Sequence, residues 1–169
     1  MRQIIDQTVL PFKLEITKDM IKEAVVMSKD MGTLKGSLLE GKGNTWGFLG
    51  EIIAAKALAA EHKNTYDYDL VTPLGHTVDV KTQRVSSIPR PQFHCNVNEH
   101  SIRQKCDYYA FVRIHSDLTT AWYLGKMGKP QFMQQAMYRE KGSATTNFIF
   151  KFNCYSITID ELDSLTLDD

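Results

Sequence analysis

Two carboxylates and an amine stand close together in the segment Tyr66–Arg84, YDYDLVTPLGHTVDVKTQR. Asp79 and Lys81 are two positions apart. Alternate side chains of an extended chain share a face, so both project to one side with Gln83, while Val78, Val80 and Thr82 project to the other. Pro73-Leu74-Gly75 interrupts the alternation: proline presets φ and glycine tolerates a left-handed conformation, so a β-hairpin is expected here. Pairing across that turn brings Asp69 to Asp79 and Lys81. Such a cluster suits chemistry on a phosphodiester. Two carboxylates hold a hard divalent cation, above all Mg²⁺, which takes oxygen ligands and usually keeps waters and phosphate oxygens. The cation offsets charge building on the phosphoryl oxygens and lowers the pKa of a bound water, and a neighbouring lysine positions that water. The triplet alone is weak, because Asp-x-Lys arises by chance roughly once in a few hundred residues and a solvated hairpin has the same pattern.

A third carboxylate lies upstream. Residues 45–61, TWGFLGEIIAAKALAAE, are apolar and alanine-rich, with Thr45 placed to cap a mostly buried helix. Glu51 is in its middle. Its neighbours at helical spacing, Gly47, Phe48, Ala54, Ala55 and Leu58, offer nothing to neutralise it. A buried, unpaired glutamate is costly. Either Glu51 faces a cation outside its own helix, or the helix is more exposed there than its composition indicates.

Glu51 on a helix, Asp69, and then Asp79-Val80-Lys81 on a strand resemble the PD-(D/E)XK nuclease superfamily. The stretches GNTWGFLGE, YDYDLV, VDVKTQR, CDYYAFVRI and AWYLGKM are also similar to small uncharacterised nuclease-like proteins of phages, over about residues 41–127. The resemblance implies an α/β fold with a restriction-endonuclease-like core, a central mixed β-sheet flanked by helices. It implies that Asp69 and Asp79 ligate the metal with the Val80 carbonyl as a further ligand. Glu51 would act directly or through water, Lys81 would orient the nucleophile, and Gln83 stands where some members carry a further polar residue. Asp69 follows tyrosine where the superfamily has proline, and Asp67 competes with Asp69 for the same role. The function implied is that of a deoxyribonuclease, an endonuclease, hydrolysing DNA by a metal-activated water, with Mg²⁺ replaceable by Mn²⁺. The alternative is a nuclease fold kept for binding DNA or protein without turnover.

A chain of 169 residues is ordinary for one domain and long enough to bury a core, so one domain over 1–169 is expected. No apolar run approaches membrane-spanning length, and MRQIIDQ lacks a signal-peptide pattern. These features point to a cytoplasmic protein, in the host cytoplasm if phage-encoded, with no membrane partner. Cys95, Cys106 and Cys154 are odd in number and lack CxxC spacing, which suits reduced thiols, and His94, Cys95, His100 and Cys106 are poorly spaced for zinc. Gly32–Asn44 is glycine-rich but lacks the Walker ending, so no nucleotide cofactor is expected. Net charge is zero, yet residues 81–105 carry five bases and one acid, while 155–169 carry five acids and no base. A local basic face can follow phosphates without a high overall charge, and Lys42, Arg84, Arg90, Arg103 and Lys105 are the candidate DNA contacts.

Further elements must position these groups. Thr17 is placed to cap a helix reaching Met31, with Met20, Ile21, Ala24, Val25, Met27, Ser28 and Met31 as its inner stripe. Leu10–Ile16 reads as an edge strand or an extended lead-in, Val85–Asn98 as a long loop beside the site, and Asn98–Lys105 as a short helix. Asp107–His115 and Thr119–Lys126 form a second hairpin in which Trp122 and Tyr123 pack inside. A helix from Lys129 to Glu140 is expected to begin with Pro130, to bury Phe132, Ala136 and Met137, and to stop at Gly142. Strands at Asn147–Phe152 and Tyr155–Ile159 would add an edge or a homodimer contact.

Overall fold

The computed structural model describes residues 12–31, 42–146 and 148–163, without the side chains of 12, 31 and 42–44. In chain order the elements are β1 (Phe12–Glu15), α1 (Lys18–Met31), α2 (Lys42–Leu58), β2 (Glu61–His62), β3 (Leu70–Val71), β4 (Thr77–Val85), β5 (His94–Asn98), β6 (Tyr108–His115), β7 (Thr120–Gly128), α3 (Lys129–Gln135), β8 (Met137–Arg139), β9 (Ala144–Thr145), β10 (Phe148–Ile149) and β11 (Cys154–Thr158). The fold is mixed α/β. A six-stranded sheet has the order β1-β7-β6-β4-β3-β2, and β5-β11-β8 form a smaller antiparallel sheet. Within the large sheet β4 and β6 run parallel, from Val78 opposite Tyr108 to Val85 opposite His115, whereas the other pairings are antiparallel.

The alternation of each strand sorts side chains into two cores. Val78, Ala110, Val112, Ile114, Ala121 and Tyr123 face α1 and α2, where Met20, Ala24, Phe48, Leu49, Ile52 and Ile53 meet them. Tyr109, Phe111, Trp122, Leu124 and Met127 face the other way, against Cys95, Val97, Phe132, Ile157 and Ile159. Helix α1 forms for the reasons read from its sequence: the Thr17 hydroxyl accepts from the Met20 amide at 3.2 Å, and Met20 and Ala24 are buried. Helix α2 is apolar nearly all round, and Phe48 to Ala54 is buried without a break.

Several sequence expectations need correction. Helix α2 starts at Lys42, so Thr45 is inside it and not its cap. The segment 85–98 is only partly a loop, because His94–Asn98 pairs with β11. The helix expected at 98–105 is a single 3₁₀ turn at Ser101–Arg103. Helix α3 ends at Gln135, and the chain becomes strand β8, leaving Met137 exposed. Gly142 lies beyond β8 with φ 88°, a turn position and not a helix stop. The strand expected at Asn147–Phe152 is two residues long, with Asn147 outside the described residues. Leu10–Ile16 yields β1 on the sheet edge beside β7, with Leu10 and Pro11 outside the described residues, as is 32–41 of the glycine-rich connection.

Helix α2 approaches β4 closely at Gly50. A Cβ there would stand 1.8 Å from the Thr82 Oγ1 and 2.8 Å from the Thr82 Cβ, both on the strand that carries Asp79 and Lys81. Helix propensity favours Ala over Gly by about 1 kcal/mol, but overpacking a rigid contact costs about 1–3 kcal/mol. Gly50→Ala is therefore expected to lower stability in urea unfolding, and adding Thr82→Ala to recover part of the loss.

A candidate metal-dependent active site

The hairpin forms as its sequence indicates, with a shorter first arm. Leu70 pairs with Val78 and Val71 with Thr77, and the turn closes through the Gly75 amide on the Thr72 carbonyl at 2.8 Å, with Gly75 at φ 86°. Continuing the register by one residue sets Asp69 opposite Asp79, and the Asp69 amide donates to the Val78 carbonyl at 2.9 Å. The Asp69 Oδ2 accepts from the Val80 amide at 2.8 Å, which holds this carboxyl against β4. Asp67 is engaged elsewhere, because its Oδ1 accepts from the Lys105 amide at 3.0 Å.

Helix α2 delivers Glu51 to the same point. Its carboxyl lies close enough to Asp69 and Asp79 for each to shift its protonation. Residues on three separate elements therefore converge: Glu51 on α2, Asp69 just before β3, and Asp79 with Lys81 on β4. Lys81 Nζ stands 2.7 Å from Asp79 Oδ2. That oxygen lacks a well-directed hydrogen bond, so the ammonium balances its charge without satisfying its lone pairs. Glu51 is 6% exposed and Asp79 3%.

Three carboxylates against one ammonium leave two negative charges unbalanced in a site that water hardly reaches. Burial raises Glu51 from its ordinary 4.5 to about 7, partly opposed by the hydrogen bond from Asp69 and reinforced by the charge of Asp79. Burial and the charge of Glu51 raise Asp69 to about 7, and burial raises Asp79 to about 6 in spite of Lys81. The shared cause is that the charged forms lack solvent and repel one another. A divalent cation bound here would supply the missing charge, and the Asp79 oxygen and Asp69 would be its donors. Among the described residues no three His, Cys, Asp or Glu side chains stand as a ready-made cage. Mg²⁺ asks for less, since one or two carboxylates with water and substrate oxygens suffice.

Two residues at the site were invisible in sequence. His62 Nε2 lies 3.1 Å from Glu51 Oε1, so Glu51 has a partner from β2 that helical spacing could not reveal. Burial lowers the His62 pKa, so this contact is nearer a neutral hydrogen bond than an ion pair. Gln104 accepts from Lys81 Nζ at 3.2 Å and donates from Nε2 to the Tyr66 carbonyl at 2.8 Å, while Lys129 Nζ donates to the Gln104 carbonyl. Lys81 is thus held from two sides, by Asp79 and by a glutamine 23 positions away.

The remaining candidates lie at different places. Gln83 follows Lys81 on the same face, about 7 Å along the strand. Arg84 points to the helix side, with its guanidinium 4.6 Å over the Trp46 ring. Arg90, Arg103 and Lys105 are exposed, Arg103 and Lys105 flanking Gln104. The Lys42 side chain lies outside the described ones. No helix among the described residues is long and apolar enough to cross a membrane. Comparison with known proteins finds no family model that matches the chain and no curated protein similar to it.

The raised acids set a testable linkage. An acid whose folded pKa exceeds its unfolded value supports folding fully below the unfolded pKa, and that support is lost as pH rises through the folded pKa. With Glu51 and Asp69 at about 7 and Asp79 at about 6, the loss falls between about pH 4 and pH 8. Glu51→Gln is expected to raise the metal-free melting temperature at about pH 8, with the advantage shrinking toward pH 5. Mg²⁺ or Mn²⁺ is expected to stabilise the unaltered chain more at the higher pH. Thermal unfolding with and without chelator reads both effects, and a pH-independent difference between the two chains would contradict the shared buried charge.

Proposed function

We propose that this chain is a Mg²⁺-dependent deoxyribonuclease of the PD-(D/E)XK type, with a restriction-endonuclease-like core. One observation carries the reading: Glu51, Asp69, Asp79 and Lys81 gather from a helix and both arms of a hairpin, with Glu51 and Asp79 buried and Asp69 and Lys81 half-buried. A structural ion pair needs two such groups. Two buried acids and a half-buried third beside one ammonium are a costly arrangement that a bound cation would relieve.

In this reading Asp69 and Asp79 would hold the cation, with the Val80 carbonyl as a further ligand. The metal, Mg²⁺ or Mn²⁺, would lower the pKa of a bound water and offset charge on the phosphoryl oxygens. Lys81 Nζ, fixed between Asp79 and Gln104, orients the attacking water and faces the negative charge that grows on the phosphate. Glu51 would act on the cation directly or through water, and His62 holds its carboxyl in place. The bond from the water oxygen to phosphorus forms as the bond to the 3′ oxygen breaks, giving a 5′-phosphate and a 3′-hydroxyl.

The test incubates purified protein with Mg²⁺ or Mn²⁺ and duplex, single-stranded, flap, four-way-junction and RNA substrates. Metal-dependent product is expected on at least one, and Lys81→Ala and Asp79→Ala should each reduce it by more than about a hundredfold while the fold is kept. No product on any substrate would favour a binding module instead. Gln104→Leu is expected to cost less, about tenfold in turnover with little change in DNA affinity, because it frees Lys81 without removing it.

A further inference from the structure

The loop between β2 and β3 carries a large aromatic side chain into solvent on a backbone that is fixed. Tyr66 is 76% exposed, more than any other large hydrophobic residue among those described. Its loop is closed by its own residues: the Lys63 amide donates to the Asp69 carbonyl at 2.8 Å, the Thr65 amide to the Tyr68 carbonyl at 3.1 Å, and the Tyr68 amide to the Thr65 Oγ1 at 3.0 Å. Two further bonds tie it to the chain at 104–105. Gln104 Nε2 donates to the Tyr66 carbonyl at 2.8 Å, and the Lys105 amide to Asp67 Oδ1 at 3.0 Å. A tyrosine on a pinned backbone loses little freedom when a ligand packs on it, because only its own two torsions remain to be fixed. Left in water the ring adds nothing to either core, and covering it removes apolar surface from water.

Its position says what would cover it. The Gln104 amide that holds the Tyr66 carbonyl also accepts from Lys81 Nζ at 3.2 Å, so a single side-chain amide separates the loop from the ammonium of the carboxylate cluster. Arg103 and Lys105, on either side of Gln104, are exposed, and neither is in an ion pair among the described residues. Asp67, the acid next to Tyr66, is engaged by the Lys105 amide. An exposed ring with two such cations in the adjoining segment suits a strand of nucleic acid: cations follow the phosphates, and the ring stacks on a base, since every base offers a π-face. An acidic protein segment would also meet the cations. A nucleic acid strand brings, with each charge, a planar face for the ring.

We propose that Tyr66 stacks on an unpaired base beside the scissile phosphate, with Arg103 and Lys105 on neighbouring phosphates. The inference rests on the nuclease reading and narrows its substrate. Inside a duplex both faces of a base are covered by its neighbours, so a lone ring finds a free face only on a single strand, a flap or an unpaired end.

The test uses the whole chain in EDTA, so that nothing is cut, with a short single-stranded oligonucleotide carrying 2-aminopurine at alternate positions, a base whose emission falls when a ring stacks on it. Emission should fall on binding to the unaltered chain and to Tyr66→Phe. Tyr66→Ala should bind the single strand about tenfold more weakly and without that fall, at an unchanged melting temperature, while its affinity for a blunt duplex stays that of the unaltered chain. Undiminished single-strand binding by the alanine variant would overturn the proposal, as would a phenylalanine variant as weak as the alanine one, or an equal loss on the duplex. No binding of single strands by the unaltered chain would overturn it too and leave the face to an acidic protein partner. Cleavage with Mg²⁺ is read separately on the same strands. Ring-dependent binding without metal-dependent product would sink the nuclease reading alone, and product with ring-independent binding would sink this one alone.

Discussion

Like charge confined away from water is the constraint on which the rest of this molecule turns. Glu51, Asp69 and Asp79 are pressed together with Lys81 as the one ammonium beside them, and burial drives all three acids toward their neutral forms. Nothing in core packing asks for this. Holding the acids there costs the fold free energy, because their charged forms are desolvated and repel one another. A cation that draws the protons off would turn that strain into binding energy, and the proposed hydrolysis uses the same charge to hold metal and phosphate.

Holding the acids together requires close, rigid packing. Strand β4 lies inside the sheet, paired on one side with β6 in parallel and on the other with the short β3. Its two faces have separate tasks: Val78 and Val80 pack beneath α2, while Asp79, Lys81 and Gln83 look toward the smaller sheet. Helix α2 can bring Glu51 to that strand because Gly50 lets its backbone settle onto Thr82. Backbone hydrogen bonds then fix the carboxyls: Asp69 is held by the Val80 amide, and Asp67 is drawn aside by the Lys105 amide. The rivalry between two aspartates on one arm is resolved by which amide each meets.

The second core does more than support the sheet. Tyr109, Phe111 and Arg113 occupy one face of β6, so the strand that packs against the small sheet also carries a buried guanidinium. Arg113 is held by the His94 carbonyl, and His94 exists as a strand residue only because β5 pairs with β11.

Local patterns were enough for much of this. Alternation across Asp79, Lys81 and Gln83, the turn at Gly75, the cap at Thr17 and the apolar run around Glu51 are properties of neighbouring residues, and each appears in the fold much as the chain spells it. Other features depend on partners far away in sequence. His94–Asn98 has no strand pattern strong enough to stand out from its proline-rich approach, and it becomes β5 because β11 supplies the hydrogen bonds. Helix α3 stops at Gln135 because Met137–Arg139 pair with the same strand. His62 beside Glu51, Gln104 behind Lys81 and Arg113 beside Gln83 carry no local signature, being set by register and by loops that close over distance. The chain by itself determined where the carboxylates and the amine stand and which face of a strand they share, because periodicity is a short-range property. Only the tertiary structure decided their partners and protonation, because burial and charge depend on everything packed around them.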